Sequence, residues 1–217
     1  MALTLVIGNK NYSSWSFRPW IAMKVAGIAF EEKLIPLQMP DTKSSILQFS
    51  PAGKVPVLLD GDVTVWESLA ILDYLADRFP DRRLWPSDPA GRAHARSIAA
   101  EMHGGFAPLR THCPMNMRRP PGKRNLPTDA AADARRIDSI WTECRKRFGG
   151  NGPFLFGAFG AADAMYAPVV SRFVTYEIDA SPQAREYIAA VTALPAWAEW
   201  RDAGVREPWR IDADEID

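Results

Sequence analysis

Cysteine is scarce in this chain. Two occur in 217 residues, Cys113 and Cys144, too few and too far apart for a disulfide framework or a cysteine-rich zinc site, so a reducing compartment is the default. An excess of either charge is also missing. The 26 Lys and Arg offset 26 Asp and Glu, and that balance builds no surface for nucleic acid or membrane. No apolar run approaches the roughly 20 residues that cross a bilayer. The apolar run near the start is far shorter than a secretory leader and has no basic segment before it. Internal repeats and low-complexity segments are absent. The histidines His94, His103 and His112 recur every nine residues. On a helix that is a rise of about 13.5 Å and a half-turn, so they cannot share a metal. The expectation is a soluble, cytoplasmic chain with no nucleic-acid, membrane or metal partner. Its length suits one large domain or two small ones.

What the chain does have is eight tryptophans and, over residues 9–20, the stretch Asn-Lys-Asn-Tyr-Ser-Ser-Trp-Ser-Phe-Arg-Pro-Trp. The apolar run 3–7 before it reads as a buried strand, and the apolar-periodic run 21–26 after it reads as a helix. Ser13, Ser14 and Ser16 therefore lie at a strand-to-helix turn. A serine there has two uses. It can cap the helix by accepting a hydrogen bond from a free backbone N–H. It can also point its hydroxyl at an anion over the helix N-terminus, where unpartnered N–H groups and peptide dipoles leave partial positive charge. Pro19 lacks an N–H and suits the first turn of a helix starting near Ser14 to Ser16. Ser13 then falls at or before the cap, with its side chain available for chemistry.

Strand and helix patterns alternate from there. Residues 14–26 form the first helix, stopped by Gly27. Residues 30–34 form a second strand and 42–49 a short, weak helix, followed by the break Ser50-Pro51-Ala52-Gly53. Residues 57–59 and 63–65 are short strands joined at Asp60-Gly61, a hairpin signal. Helical spacing returns over 67–79. A strand-helix-strand start implies parallel pairing, and the closing hairpin makes the sheet mixed. Prolines and charges over 79–89 read as a linker. Everything after it is helical in pattern. One apolar face runs through Ala95, Ile98, Ala99, Met102, Phe106 and Leu109. A Pro- and Arg-rich break covers 111–127, and a second stripe runs through Ile137, Ile140, Trp141, Cys144 and Phe148. Residues 160–175 are apolar nearly all round and therefore central. Two more helices open at Pro182 and Pro195. The expected architecture is an α/β domain over 1–79, a linker over 80–88 and an all-α domain over 89–217.

Two further signals sit beside the hairpin. Pro56 stands at a strand's first position, where proline is tolerated. Its bond to Val55 is trans by default. The cis alternative turns the chain sharply and leaves the Val55 backbone free to pair with an extended peptide. Glu67-Ser68 opens the next helix. Serine beside free N–H groups suits a carboxylate and glutamate suits an ammonium, together a zwitterionic amino-acid end. A capped helix with an acidic first turn has the same sequence.

Taken in order, these signals and the layout resemble the cytosolic glutathione transferase family over essentially the whole chain. The most specific blocks are Gly53-Lys54-Val55-Pro56-Val57-Leu58 and Glu67-Ser68-Leu69-Ala70-Ile71-Leu72-Asp73-Tyr74-Leu75. Ser13-Ser14-Trp15-Ser16-Phe17-Arg18 is similar to the serine-type classes, zeta and tau above all. The resemblance implies a thioredoxin-like first domain that holds glutathione as co-substrate. The helical second domain then supplies most of the site for a small hydrophobic electrophile. Ser13 is implied as the activating serine, with Ser14 as the alternative. Lys54 and the Val55 backbone are implied to hold the cysteinyl and glycyl parts, with Pro56 cis, and Glu67 and Ser68 to hold the γ-glutamyl end. Trp15, Met102, His103, Phe106 and Arg110 are the implied electrophile-site residues, although core packing explains Met102 and Phe106 equally well and a surface or core position is the commoner one for a histidine such as His103. The family is usually homodimeric.

The chemistry follows from thiol ionisation. A free thiol has a pKa near ~8.5, so a few per cent is thiolate at neutral pH. A hydrogen bond to the charged form contributes about 1.5–3 kcal/mol, which lowers that pKa by roughly one to two units. The serine acts as a donor, and the borrowed sulfur is the nucleophile. Several departures and rivals bear on this reading. Ser13-x-x-Ser16 replaces the Cys-x-x-Cys of redox relatives, which removes disulfide exchange by the protein's own thiols. Trp15 stands where zeta-type isomerases carry cysteine, which argues against maleylacetoacetate isomerase activity. Gly160-Ala161-Ala162-Asp163 lacks the hydroxyl of the family's Ser-x-x-Asp capping box, at a cost of about a few tenths of a kcal/mol. A non-catalytic regulatory protein on the same fold is the rival from another class. The basic cluster Arg118, Arg119, Lys123 and Arg124 reads as a solvated loop or a dock for an acidic substrate or partner.

Overall fold

Leu3–Ile7 (β1) is the middle of everything. Its side chains alternate between two cores, as the period of a strand requires. Leu3, Leu5 and Ile7 enter the main core, and Val6 enters a smaller one with Ile35, Ile46 and Val57. In this computed structural model, which describes residues 3–150 and 152–216, β1 pairs in parallel with Phe30–Leu34 (β2) and antiparallel with Val57–Asp60 (β3). Val63–Trp66 (β4) closes the sheet against β3, giving the order β2-β1-β3-β4. The sheet is mixed, as expected. The hairpin differs by one residue. Asp60 still pairs with Val63, so the turn is Gly61-Asp62, with Gly61 at φ +58°. The Asp60 carboxylate accepts from the Tyr74 hydroxyl at 2.8 Å and from Arg78 Nε at 3.1 Å, which holds it in the ladder.

Ser14–Val25 (α1) and Ser68–Arg78 (α3) cover one face of the sheet, and Thr42–Leu47 (α2) lies over the smaller core on the other. This is a thioredoxin-like domain. The stretch read as a linker carries one 3-10 turn, Pro80–Arg82. Helices follow: Pro89–Gly104 (α4), Ala107–His112 (α5), Thr128–Phe148 (α6), Ala161–Thr175 (α7), Pro182–Thr192 (α8) and Pro195–Arg206 (α9). None of the described helices is long and apolar enough to cross a membrane.

The apolar face expected to run unbroken from Ala95 to Leu109 is split. Gly105 is extended and Phe106 sits at φ +57° between α4 and α5. Pro108 explains the split: it has no N–H for the carbonyl four residues back, and its ring collides with that carbonyl. The central helix α7 is buried along nearly its whole length and packs against α1 and α4. Its start bears out half a capping box. Asp163 accepts from Gly160 N at 2.9 Å and from Leu155 N at 3.1 Å, while glycine at the cap has no hydroxyl to return the bond. The sheet domain and the helical domain share one core, in which Phe17 stacks on Trp200 at 4.8 Å and Trp20 meets the same ring.

Candidate active site

The start of α1 is fixed by a chain of hydroxyls. Ser13 is the N-cap; its Oγ accepts from Ser16 N at 3.4 Å and donates to Ser16 Oγ at 2.7 Å. Ser16 Oγ in turn accepts from Gly8 N at 3.0 Å. The expectation of an uncommitted Ser13 side chain is therefore corrected: it caps the helix. Ser14, the first residue of α1, lines the adjoining cavity, and its hydroxyl has no protein partner among the described residues. The loop before α1 is tied down from the far end of the chain. Glu207 accepts from Lys10 N at 2.7 Å and Asn11 N at 3.0 Å. α9 approaches this loop backbone to backbone at Gly204, where a Cβ would meet Asn11 N at 2.9 Å.

The basic cluster of the 111–127 loop also serves this end. Arg118 donates to the carbonyls of Glu207 and Trp209, Arg119 to that of Ile216, and Lys123 pairs with Asp179. Arg118 and Arg119 thus hold the C-terminal segment in place, a role with no local signal in the sequence.

A cavity of about 290 Å³ lies between β4, α3 and α4. The Val55–Pro56 peptide is cis and borders it. Ser68, the first residue of α3, is fully buried with its Oγ unpartnered. Glu67, at the cap, adopts φ +68°, a strained value for a side-chain-bearing residue of the kind that gathers at functional sites. His103 lines the same space, its Nε2 3.6 Å from the Glu67 carboxylate and its Nδ1 buried without a partner. Burial lowers the His103 pKa, Glu67 opposes that, and Arg18 and Arg110 add to it.

A second cavity of about 620 Å³ adjoins the first; Trp15, Lys54, Val55 and Arg110 line both. Ser13 and Ser14 sit on its wall, opposite the β2–α2 connection and the C-terminal segment. Of the residues expected at the electrophile site, Trp15 and Arg110 border this cavity, while His103 faces the smaller one. Met102 and Phe106 line neither. Met102, on the buried face of α4, is fully buried and Phe106, in the break before α5, nearly so, both in the main core. Two guanidinium groups lie over the Trp15 ring, Arg18 at 3.9 Å and Arg110 at 5.3 Å from its centre. Arg172, on α7, lines the larger cavity and was not singled out by motif. Its signal was a lone cation in the last half of an otherwise apolar helix.

Other chemistry is narrowed by the same geometry. Burial pushes the Cys113 thiol to about 11 and the Cys144 thiol to about 12, so neither is a nucleophile at neutral pH. Among the described residues no group of three or more His, Cys, Asp or Glu could hold a metal ion.

Comparison with known proteins adds the following. The glutathione S-transferase N-terminal domain model matches residues 12–78, and the C-terminal domain model matches residues 127–203. A Caenorhabditis elegans protein called probable maleylacetoacetate isomerase is 42% identical over 98 residues, 45% of each chain, so the match spans under half of that relative's length. The maleylacetoacetate isomerase of Rattus norvegicus is 31% identical over 180 residues, 78% of each chain. A Burkholderia glutathione transferase homolog, solved with bound glutathione, superposes with a TM-score of 0.72 at 22% identity, covering 94% of this chain and 98% of that one. At that identity the likeness is one of fold.

Proposed function

This chain belongs to the glutathione S-transferase family, and on that premise we propose that it binds glutathione along the two joined cavities and delivers its thiolate to a soft electrophile in the larger one. The observation that carries this reading is Ser68. Its buried, unpartnered hydroxyl stands at the N-terminus of an eleven-residue helix beside the carboxylate of Glu67. A buried hydroxyl without a partner is costly, and an anion lying on the helix N-terminus repairs it there while meeting the free N–H groups of that first turn. The γ-glutamyl end brings a carboxylate for Ser68 and an ammonium for Glu67. The peptide then runs past the Val55 backbone toward Lys54 and brings its sulfur to the start of α1.

At that point Ser13 is the donor and Ser14 the alternative. The oxygens of Ser13 and Ser16 lie 2.7 Å apart, and a hydroxyl hydrogen rotates freely to suit its partners. Ser16 Oγ already accepts from Gly8 N. Turning the Ser16 hydrogen onto Ser13 frees the Ser13 hydrogen for sulfur, and each bond in such a chain polarises the next. The proton lost by the thiol goes to solvent, and no protein group needs to act as a nucleophile. The first experiment is retention on immobilised glutathione with turnover of 1-chloro-2,4-dinitrobenzene. Absence of both rejects the reading in favour of a binding or regulatory role.

A second reading, glutathione-dependent isomerisation, is favoured by the names of the rat and nematode relatives. Trp15 argues against it. Turnover of maleylacetoacetate without net consumption of glutathione decides between them. The reading also includes a cytoplasmic homodimer. Exposed Val63 and Trp66 on the edge strand β4 support a covered face, and sedimentation velocity measures the mass.

A further inference from the structure

The larger cavity is lined by four basic side chains, Lys43, Lys54, Arg110 and Arg172, and by one acidic one, Asp214. Two of the arginines are unlike ordinary surface cations. Arg172 is almost fully buried; Nη1 donates to Pro168 O at 2.9 Å, and Nε has no partner. Arg110 is half-buried, and its Nε is also unpartnered. Directly behind Trp15, Arg18 is fully buried, with Nε donating to Met165 O at 3.2 Å and both Nη atoms free. Among the described residues none of the three forms an ion pair within 4.0 Å. Their charges oppose one another: Arg172 and Arg110 lower the pKa of Arg18, and Arg110 lowers that of Arg172, whose value burial chiefly brings down to about 10. Asp133 opposes the lowering at Arg110, and Tyr176, Cys113 and then Asp214 oppose it at Arg172.

Buried cations are ordinarily paired, because removing a charge from water is expensive and like charges add to the cost. Three guanidinium groups gathered without a carboxylate in contact are an arrangement that an anion completes. A guanidinium fork fits a carboxylate with two parallel hydrogen bonds. Glutathione's own carboxylates have other partners on the reading above: Ser68 and α3 for one, the Lys54 side of the cavity for the other. The same wall carries apolar side chains, Leu37, Ile46, Met115 and Ile211 among them, beside the hydroxyls of Ser13 and Ser14.

We propose that Arg110 and Arg172 bind a carboxylate on the electrophile, so that this protein's acceptors are apolar molecules with one anionic end. The inference rests on the glutathione reading and names the substrate class of the same site. For an aryl chloride the step is simple substitution. The thiolate forms a C–S bond at the ring carbon, chloride leaves with the C–Cl electron pair, and the thiol proton has already passed to solvent.

The test compares 4-chloro-3,5-dinitrobenzoate with its neutral methyl ester, each kcat/KM divided by the uncatalysed rate with glutathione. The expected acid-over-ester ratio in the natural protein is about tenfold or more, the scale of one charge-assisted hydrogen bond. Arg110→Met and Arg172→Met should bring that ratio toward one, and Arg172→Lys should restore part of it. A ratio at or below one in the natural protein, which depends on no variant folding, overturns the inference. So does a ratio that survives both substitutions, or variants that slow acid and ester equally while raising the KM for glutathione. Failure of the glutathione reading has another signature: neither compound is turned over, and glutathione is not retained.

Discussion

The two cavities share four wall residues and are built in opposite ways. The smaller is made by short, contiguous blocks: residues 52–56 and 66–68 supply most of its wall, with the polar atoms at a peptide bond and a helix start. The larger also uses short blocks, at 12–15, 37–43 and 53–55, but its charged side chains, Lys43, Lys54, Arg110, Arg172 and Asp214, converge from parts of the chain far apart. A site built on backbone recognises what is constant in a ligand, here the peptide. A site built on converging side chains recognises what varies. The first is nearly neutral in its charged lining, with Glu67 beside Lys54, His103 and Arg110, while the second is strongly basic.

The sharpest way to break this division is to remove the one polar side chain that the smaller cavity leaves unpartnered on α3. Ser68→Ala should weaken glutathione binding by about 10- to 100-fold, the worth of a hydrogen bond to a charged group, and leave the acid-over-ester preference in place. Isothermal titration reads the first and the paired-substrate assay the second. Loss of the preference with unchanged affinity would merge the two sites. Next in size is Ser16→Ala. It leaves Gly8 N buried without its acceptor, which should lower stability by about 1–3 kcal/mol. It should also raise the kinetic pKa of the thiol while sparing glutathione affinity. A urea melt and a pH–rate profile follow the two effects separately.

The smallest effect concerns pH. His103 in the smaller cavity has its pKa lowered, chiefly by burial. Between that lowered value and the ordinary one near ~6.5, the unfolded chain binds a proton that the native chain does not. Stability therefore rises with pH through this window, and the His103 contribution is level on either side of it. His103→Gln should flatten the dependence measured by urea midpoints at about pH 5.5 and 7.5; an unchanged slope assigns it to other groups.

Legibility in the sequence follows the same division. The strand-helix order and the Glu67-Ser68 helix start depend on neighbouring residues, and local chemistry was enough to find them; the cis Val55–Pro56 bond was not, because local chemistry favours trans and only the family resemblance implied cis. The split of α4 from α5 was missed because an apolar face continues across it, although Gly105 and Pro108 carried the signal. Met102 and Phe106 were placed at the electrophile site by the family resemblance, although their apolar spacing suits a core face equally, and the core is where they lie. Arg172 escaped because its partners across the cavity, Arg110 and Asp214, come together only when α7, α5 and the C-terminal segment pack. The roles of Arg118 and Arg119 were hidden for the same reason: their acceptors are backbone carbonyls about ninety residues away.

The central claim is that a hydroxyl at the start of α1 ionises a borrowed sulfur. Ultraviolet difference titration of the bound thiol, in the natural protein and in Ser13→Ala and Ser14→Ala, tests it most directly. The account predicts a bound thiol pKa about one to two units below that of free glutathione, returning toward the free value in Ser13→Ala and moving less in Ser14→Ala. A bound thiol that titrates like the free peptide, or one whose pKa is untouched by both substitutions, would contradict it.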